Sequence, residues 1–245
     1  MTWLRCAETR PWASMRLFCL PHAGGSAVFY RPWAKEISPA VEVHAVQYPG
    51  RADRMADALV TDAHQLARLI AGAMAPLMDR PAALFGHSMG AVLAYEVARL
   101  LQERGSAPVH VFASGTRAPD DRGDDRVSDR DDDGLVEEMI ELGGTDVEAL
   151  QDPELRELVL PYVRNDFRLI EDYVHRDGTR LAVPLTAIVG DSDSHVSQEQ
   201  ARGWARVTDG RFALRTLPGG HFYLIDQQPA VIAEILRTLE VPAFG

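Results

Sequence analysis

Six short apolar runs punctuate the chain, and none shows the strict polar alternation of a half-exposed strand. They are Arg16-Leu-Phe-Cys-Leu20, Val41-Glu-Val-His-Ala-Val46, Ala82-Ala-Leu-Phe85, Val109-His-Val-Phe-Ala113, Pro184-Leu-Thr-Ala-Ile-Val189 and a weaker Phe212-Ala-Leu-Arg-Thr-Leu217. Runs of this kind predict strands covered on both faces, as in a parallel sheet. Helical patterns lie between them. Residues 61–78 place Leu66, Leu69, Ile70, Ala73 and Met74 on one stripe. Residues 89–104 do the same with Val92, Leu93, Val97, Leu100 and Leu101, and Gly105 is a natural stop. Ser197 and Gln200 form a capping box for a helix reaching Trp204 and Val207, and Pro229 opens a last helix with Val231, Ile232, Ile235, Leu236 and Leu239 inward. Strand alternating with helix predicts an α/β fold with a mostly parallel, doubly wound sheet.

Residues 117–180 break the rhythm. A run of Asp and Arg at 120–133 offers almost nothing to bury and is expected to be a flexible, hydrated linker. Helical patterns at 135–142 and 154–173 follow. The second carries Val159, Leu160, Tyr162, Val163, Phe167, Leu169, Ile170 and Tyr173, more apolar surface than one stripe needs. The segment 117–180 therefore reads as a helical lid inserted between two parts of the core, 1–116 and 181–245.

Composition narrows the function. A chain of 245 residues, 46% hydrophobic, can bury one large core. Its 25 basic against 36 acidic residues give a net charge of −11, which would repel nucleic-acid phosphates. Arg5, Glu8 and Arg10 interrupt the first dozen residues, so no signal-peptide core is expected, and no later stretch is long enough to span a bilayer. Cys6 and Cys19 are too few for a disulfide framework or a cysteine-based zinc site. These features predict a cytoplasmic protein.

The candidate chemistry starts at Gly86-His87-Ser88-Met89-Gly90, which sits directly after one predicted strand and before a predicted helix. That is the context of a nucleophile elbow, a turn so tight that glycines must flank it. A serine hydroxyl needs a base, and the base needs an orienting acid. Gly190-Asp191-Ser192-Asp193 and Gly219-Gly220-His221-Phe222 follow two later strands, in the order Ser, Asp, His expected for such a sheet. Ser88, Asp193 and His221 are the candidate catalytic residues. Asp193 is preferred to Asp191 because Gly-x-x-Asp leaves the loop room to turn inward, with Asp191 expected to bond backbone. Of the other histidines, His195 is expected to be a solvated loop residue. His44 and His110 should be strand packing or edge residues, and His64 and His175 helix-surface residues. No histidine spacing resembles a metal site. Leu20-Pro-His-Ala-Gly-Gly-Ser26 follows the first of the six strands and suits an oxyanion hole, with the backbone N–H groups of Ala23 and Met89 as donors.

These pieces resemble the type II thioesterases, stand-alone α/β-hydrolases that accompany polyketide synthases and nonribosomal peptide synthetases. The resemblance runs through Leu20-Pro-His-Ala-Gly-Gly-Ser26, Gln47-Tyr-Pro-Gly-Arg51, Phe85-Gly-His-Ser-Met-Gly-Ala91 and Gly219-Gly-His-Phe-Tyr223. It implies hydrolysis of acyl thioesters on the phosphopantetheine arm of acyl or peptidyl carrier proteins, by a monomer that needs no cofactor of its own. It places Ser88, Asp193 and His221 on the family's triad and Ala23 and Met89 on its oxyanion positions. A chain-releasing thioesterase, an acyl-CoA thioesterase or a carboxylesterase of the same fold is the alternative, and an inactive binding protein a further one. Carrier proteins are typically acidic, so docking on a chain at −11 would rely on local arginines. Arg51 and Arg54 are weak candidates for the arm's phosphate, against a plainer role in helix capping or surface ion pairs. Departures from the family pattern are Tyr48, Ser194 and the charge of 120–133.

Overall fold

The computed structural model describes residues 3–121, 123, 126–143, 150, 152–176, 178 and 180–241. Seven strands form one sheet: β1 (Leu4–Arg5), β2 (Met15–Leu20), β3 (Val41–Val46), β4 (Ala82–His87), β5 (His110–Ser114), β6 (Leu185–Gly190) and β7 (Phe212–Leu217). Their order is β1-β3-β2-β4-β5-β6-β7, and only β1 runs antiparallel. All six predicted strands are present within two residues. β1 escaped the reading because two residues carry no periodicity. Strands β3 to β6 are buried along their whole length, whereas β7 at the edge is half-buried, which is why its pattern was weak.

Helices cover both faces. Alternate strand residues point to opposite sides. On one side Phe18, Leu20, Leu84 and Val111 pack with α2 (Ala63–Met74) and α3 (Met89–Glu103). On the other, Leu17, Cys19, Phe85 and Phe112 pack with α1 (Arg31–Glu36) and, across α7 (Tyr223–Asp226), with the long last helix α8 (Gln228–Thr238). The predicted capping box closes on α6 (Gln198–Arg202). Among the described residues, no helix is long and apolar enough to cross a membrane.

Between β5 and β6 stand α4 (Asp132–Leu142) and α5 (Pro153–Glu171), which enclose a small core of their own from Val127, Leu135, Met139, Leu160 and Val163. The far end of α5 drops Leu169 into the main core, and Tyr173 just beyond it follows. The described residues of the charged run, 120, 121, 123 and 126–133, are not the hydrated linker expected. Asp131 caps α4 through Gly134 N–H at 2.9 Å. Asp120, Asp132 and Asp133 pair with Arg206, Arg164 and Arg156, and Arg126 and Arg130 with Asp172 and Glu138. The run's partners lie on α4, on and just beyond α5, and near residue 206, too far along the chain for local pattern to reveal. Each such exposed pair adds about 0–1 kcal/mol, so the run is tied down by number rather than strength.

The sheet register then positions the site. Leu20 pairs with Gly86, His87 with Ser114, and Gly190 with Leu217. The segments after these strands therefore leave one edge of the sheet, around the point where the strand order reverses, where α/β sheets hold ligands.

Candidate active site

Ser88 has φ +53° and ψ −121°, a conformation that costs a non-glycine residue about 1–3 kcal/mol. Its neighbours enforce it. Ser88 N–H donates to Ser114 C=O at 2.8 Å. A Cβ on Gly86 would run into the Gly90 carbonyl, and one on Gly90 into the Leu20 carbonyl. The turn thus brings α3 against β2 as closely as backbone allows. Although Ser88 stands at the helix N-cap, its hydroxyl caps no amide. It is left facing the cavities at the sheet's edge.

Asp193 and His221 meet as expected. His221 Nδ1 lies 3.0 Å from Asp193 Oδ2, and their side chains are 5% and 0% exposed. Asp193 Oδ1 accepts the N–H groups of His195 and Val196 at 2.9 and 3.2 Å. The carboxylate is thus held by three donors and can turn only by breaking them. Asp191 is exposed and accepts Gly219 N–H at 3.0 Å, joining the loops that carry the acid and the imidazole. Ser88 and His221 line two cavities together. One of about 230 Å³ is bounded by Arg117, Glu138, Phe167 and His195. A smaller one of about 50 Å³ is bounded by His22, Ala23, Gly24 and Met139. A larger cleft of about 510 Å³ near β1 and β3 holds none of these side chains.

The two expected oxyanion donors are both unused. Met89 N–H is an orphan of the first turn of α3, at the positive end of the helix. Ala23 N–H lies in the loop after β2. Neither donates to an acceptor among the described residues.

Two further imidazoles surround His221, and sequence reasoning did not assign them. His87 is fully buried, its ring centroid 5.1 Å from that of His221. Its Nδ1 lies 2.9 Å from Ser114 Oγ, which is 2.6 Å from Tyr223 Oη. Burial first, and then repulsion from His221 and His22, holds the His87 pKa well below the usual imidazole range. Burial, with His221 and Arg51 adding repulsion, lowers that of His22 to about 3. Both stay neutral at physiological pH, so neither competes with a charge on His221.

Several expectations need correction. His195 is only partly solvated: its side chain is 28% exposed, it lines the larger cavity, its Nδ1 is 3.6 Å from Glu138, and its Nε2 is buried without a partner among the described residues. The loop that turns Asp193 inward carries His195 with it. His64 is buried on the inner face of α2, its Nε2 donating to Val174 C=O at 3.0 Å. His175 lies beyond α5, half-buried beside Tyr95, rather than on a helix surface. Arg51 and Arg54 are buried and cannot meet a phosphate. Arg51 is bound by Asp166 at 2.5 and 2.8 Å, and Arg54 by Asp57 at 2.7 Å and by Gln47 C=O at 2.9 Å. His44 and His110 are strand residues bonded to Glu42 and Thr186, as expected.

Cys6, Glu42 and His44 bring ligand-type atoms within 4.8 Å of one another, away from this site. Glu42 there already accepts from Arg10 N–H, Arg16 and His44, and a guanidinium 3.1 Å away disfavours a cation.

Comparison with known proteins agrees with the geometry. Residues 15–239 match the thioesterase domain family. The chain is 44% identical over 237 residues to a probable cadicidin biosynthesis thioesterase of Streptomyces griseus, covering 97% of this chain and 66% of that protein. It is 41% identical over 235 residues to the thioesterase PikA5 of Streptomyces venezuelae, covering 95% and 84%. The type II thioesterase BorB of the borrelidin biosynthetic cluster superposes with a TM-score of 0.90 at 40% identity, over 97% of each chain. With an α/β-hydrolase sheet, a strained serine elbow and a buried carboxylate–imidazole pair at its rim, the chain belongs to the thioesterase domain family.

Proposed function

We propose that this thioesterase frees stalled or aberrant acyl groups from the phosphopantetheine arm of carrier proteins in polyketide or nonribosomal peptide assembly. The observation that carries the chemistry is the Asp193–His221 pair, whose imidazole lines the same cavities as Ser88. In this reading His221 takes the Ser88 proton as Oγ attacks the thioester carbonyl. Asp193 keeps the Nδ1 proton in place and steadies the imidazolium. The Ala23 and Met89 amides receive the oxyanion. The thiol, with a pKa near 8.5, then leaves with a proton from His221. Water activated by His221 hydrolyses the acyl-enzyme and restores the serine. The segment between β5 and β6 acts as a lid: α4 and α5 supply Glu138, Met139, Phe167 and Ile170 to the cavity walls and exclude water from the acyl-enzyme. The relative named for cadicidin biosynthesis and the structural match from the borrelidin biosynthetic cluster support carrier-bound rather than free substrates.

The test compares acyl-carrier, acyl-CoA and oxygen-ester substrates of one acyl group on the wild-type chain and on Ser88→Ala. Acyl-carrier substrates should give the highest kcat/KM. The variant should lose about 10³–10⁶-fold and fail to take a fluorophosphonate label. Equal rates on oxygen esters would refute the substrate class, and full activity in the variant would refute the nucleophile.

A further inference from the structure

The loop that carries Ala23 does not hold its own shape. It turns at Gly24, where φ is +77°, and α5 lies directly on the turn: a Cβ on Gly24 would sit 3.0 Å from Val163 Cγ2. Three residues along α5, Asp166 is 2% exposed, and its Oδ2 accepts Gly24 N–H at 2.9 Å. The same carboxylate receives Arg51 Nη1 and Nη2 at 2.5 and 2.8 Å. Arg51 Nη1 also donates to Gly25 C=O at 3.2 Å. The guanidinium lies 5.3 Å from the ring centroid of Tyr48 and 4.6 Å from that of Tyr162. Tyr48, a departure from the family pattern, donates its hydroxyl proton to Pro21 C=O at 3.0 Å. The backbone is therefore tied at Pro21, Gly24 and Gly25, on both sides of an Ala23 N–H that has no acceptor among the described residues.

We propose that Asp166 is a positioning residue for the oxyanion hole: held by Gly24 N–H and Arg51, it sets the direction of the Ala23 N–H, and does so only while α5 is closed on the loop. The proposal rests on the thioesterase reading above. A buried ion pair gains little over apolar side chains of the same volume, so stability alone does not account for a carboxylate here. A donor that must meet a developing charge works only if it is already aimed. A lid helix that carries the aiming group couples closure over the acyl chain to competence of the site.

The experiment separates aim from stability with two variants and three readouts: steady-state kinetics on a short acyl-pantetheine thioester, the melting temperature and boronic-acid affinity. Asp166→Leu, which leaves Gly24 N–H with no acceptor, should lower kcat about 10²-fold, the scale of losing one oxyanion donor, with KM within threefold of wild type. The double variant Asp166→Leu/Arg51→Met removes the buried charges together. It should melt close to wild type yet keep a kcat at least tenfold low, because Gly24 N–H has lost its acceptor. Affinity for an alkyl boronic acid, whose serine adduct places an oxygen in the oxyanion hole, should fall by the same factor as kcat. Recovery of kcat along with the melting temperature in the double variant, or unchanged boronate affinity in either variant, would overturn the proposal. A wild-type chain that hydrolyses no thioester and takes no fluorophosphonate label would instead defeat the underlying reading.

Discussion

Replacing Asp193 by asparagine keeps the shape of the site and changes only which hydrogen bonds can form. Asp193 Oδ1 meets the amides of His195 and Val196, and Oδ2 faces His221 Nδ1. An asparagine can satisfy the two amides only with its carbonyl oxygen, since its NH₂ group would set donors against donors. Two bonds against one decide the orientation, so the NH₂ group faces His221. It then requires a lone pair on Nδ1, and the imidazole proton moves to Nε2, the nitrogen that would take the Ser88 proton. A base in the wrong tautomer is expected to lose about 10⁴ in kcat, or about 5.5 kcal/mol of transition-state stabilisation. The fold should scarcely notice. Both amides and the ring keep partners, so Tm at pH 7 should stay within about 3 °C of wild type. Asp193→Ala is the control: it orphans both amides at about 1–3 kcal/mol each and should melt clearly lower. Steady-state hydrolysis of one acyl-carrier substrate, with calorimetry on all three proteins, measures both quantities. An asparagine variant within tenfold of wild type, or one that melts with the alanine variant, would refute the tautomer argument.

Further outcomes follow from the same coordinates. Gly90→Ala would press a methyl group into the Leu20 and Pro21 carbonyls, backbone that cannot give way. It should cost about 3 kcal/mol or more and lower Tm by about 6–12 °C, whereas Gly72→Ala on the exposed side of α2 meets open space and should raise Tm by about 2 °C. Acid should unfold the chain through its buried neutral histidines. The pKa values of His22 and His87 are lowered in the folded state, so the unfolded chain binds the extra protons below about pH 6.5. Each contributes stability that is complete above that pH and falls by about 1.4 kcal/mol per pH unit below it. Urea titrations at pH 7, 6 and 5 should show this, with a shallower slope in His22→Phe. An unchanged slope in that variant would show that other groups dominate.

The candidate positions Ser88, Asp193 and His221 were legible because each follows a predicted strand with a local signature of its own. Gly86 and Gly90 flank a turn that excludes Cβ atoms, Gly190-x-x-Asp193 follows a run that reads as a buried strand, and Gly219-Gly-His221 follows the weaker run of the edge strand. The ordinary reach of hydrophobic periodicity also explains the misses: β1, α1 and α7 are too short to show a period. Asp166 left a trace that went unread. It lies on the stripe of α5 between Val163 and Leu169, a charge among apolar positions, but its sign and position could not say what it would meet.

The amino-acid order alone determined a doubly wound sheet, the sites of its turns and the candidates for the reactive groups, because alternation, glycine demands and capping depend on residues a few positions apart. Only the folded chain decided that Arg51 is a buried ion-pair partner rather than a phosphate ligand, that His195 faces the cavity, and that α5 reaches the Gly24 amide. Those contacts join positions 115 and 142 residues apart for Arg51 and Gly24 with Asp166. They exist because parallel strands bring distant loops to one edge, where burial forces each charge and amide to find whatever partner the opposite element presents.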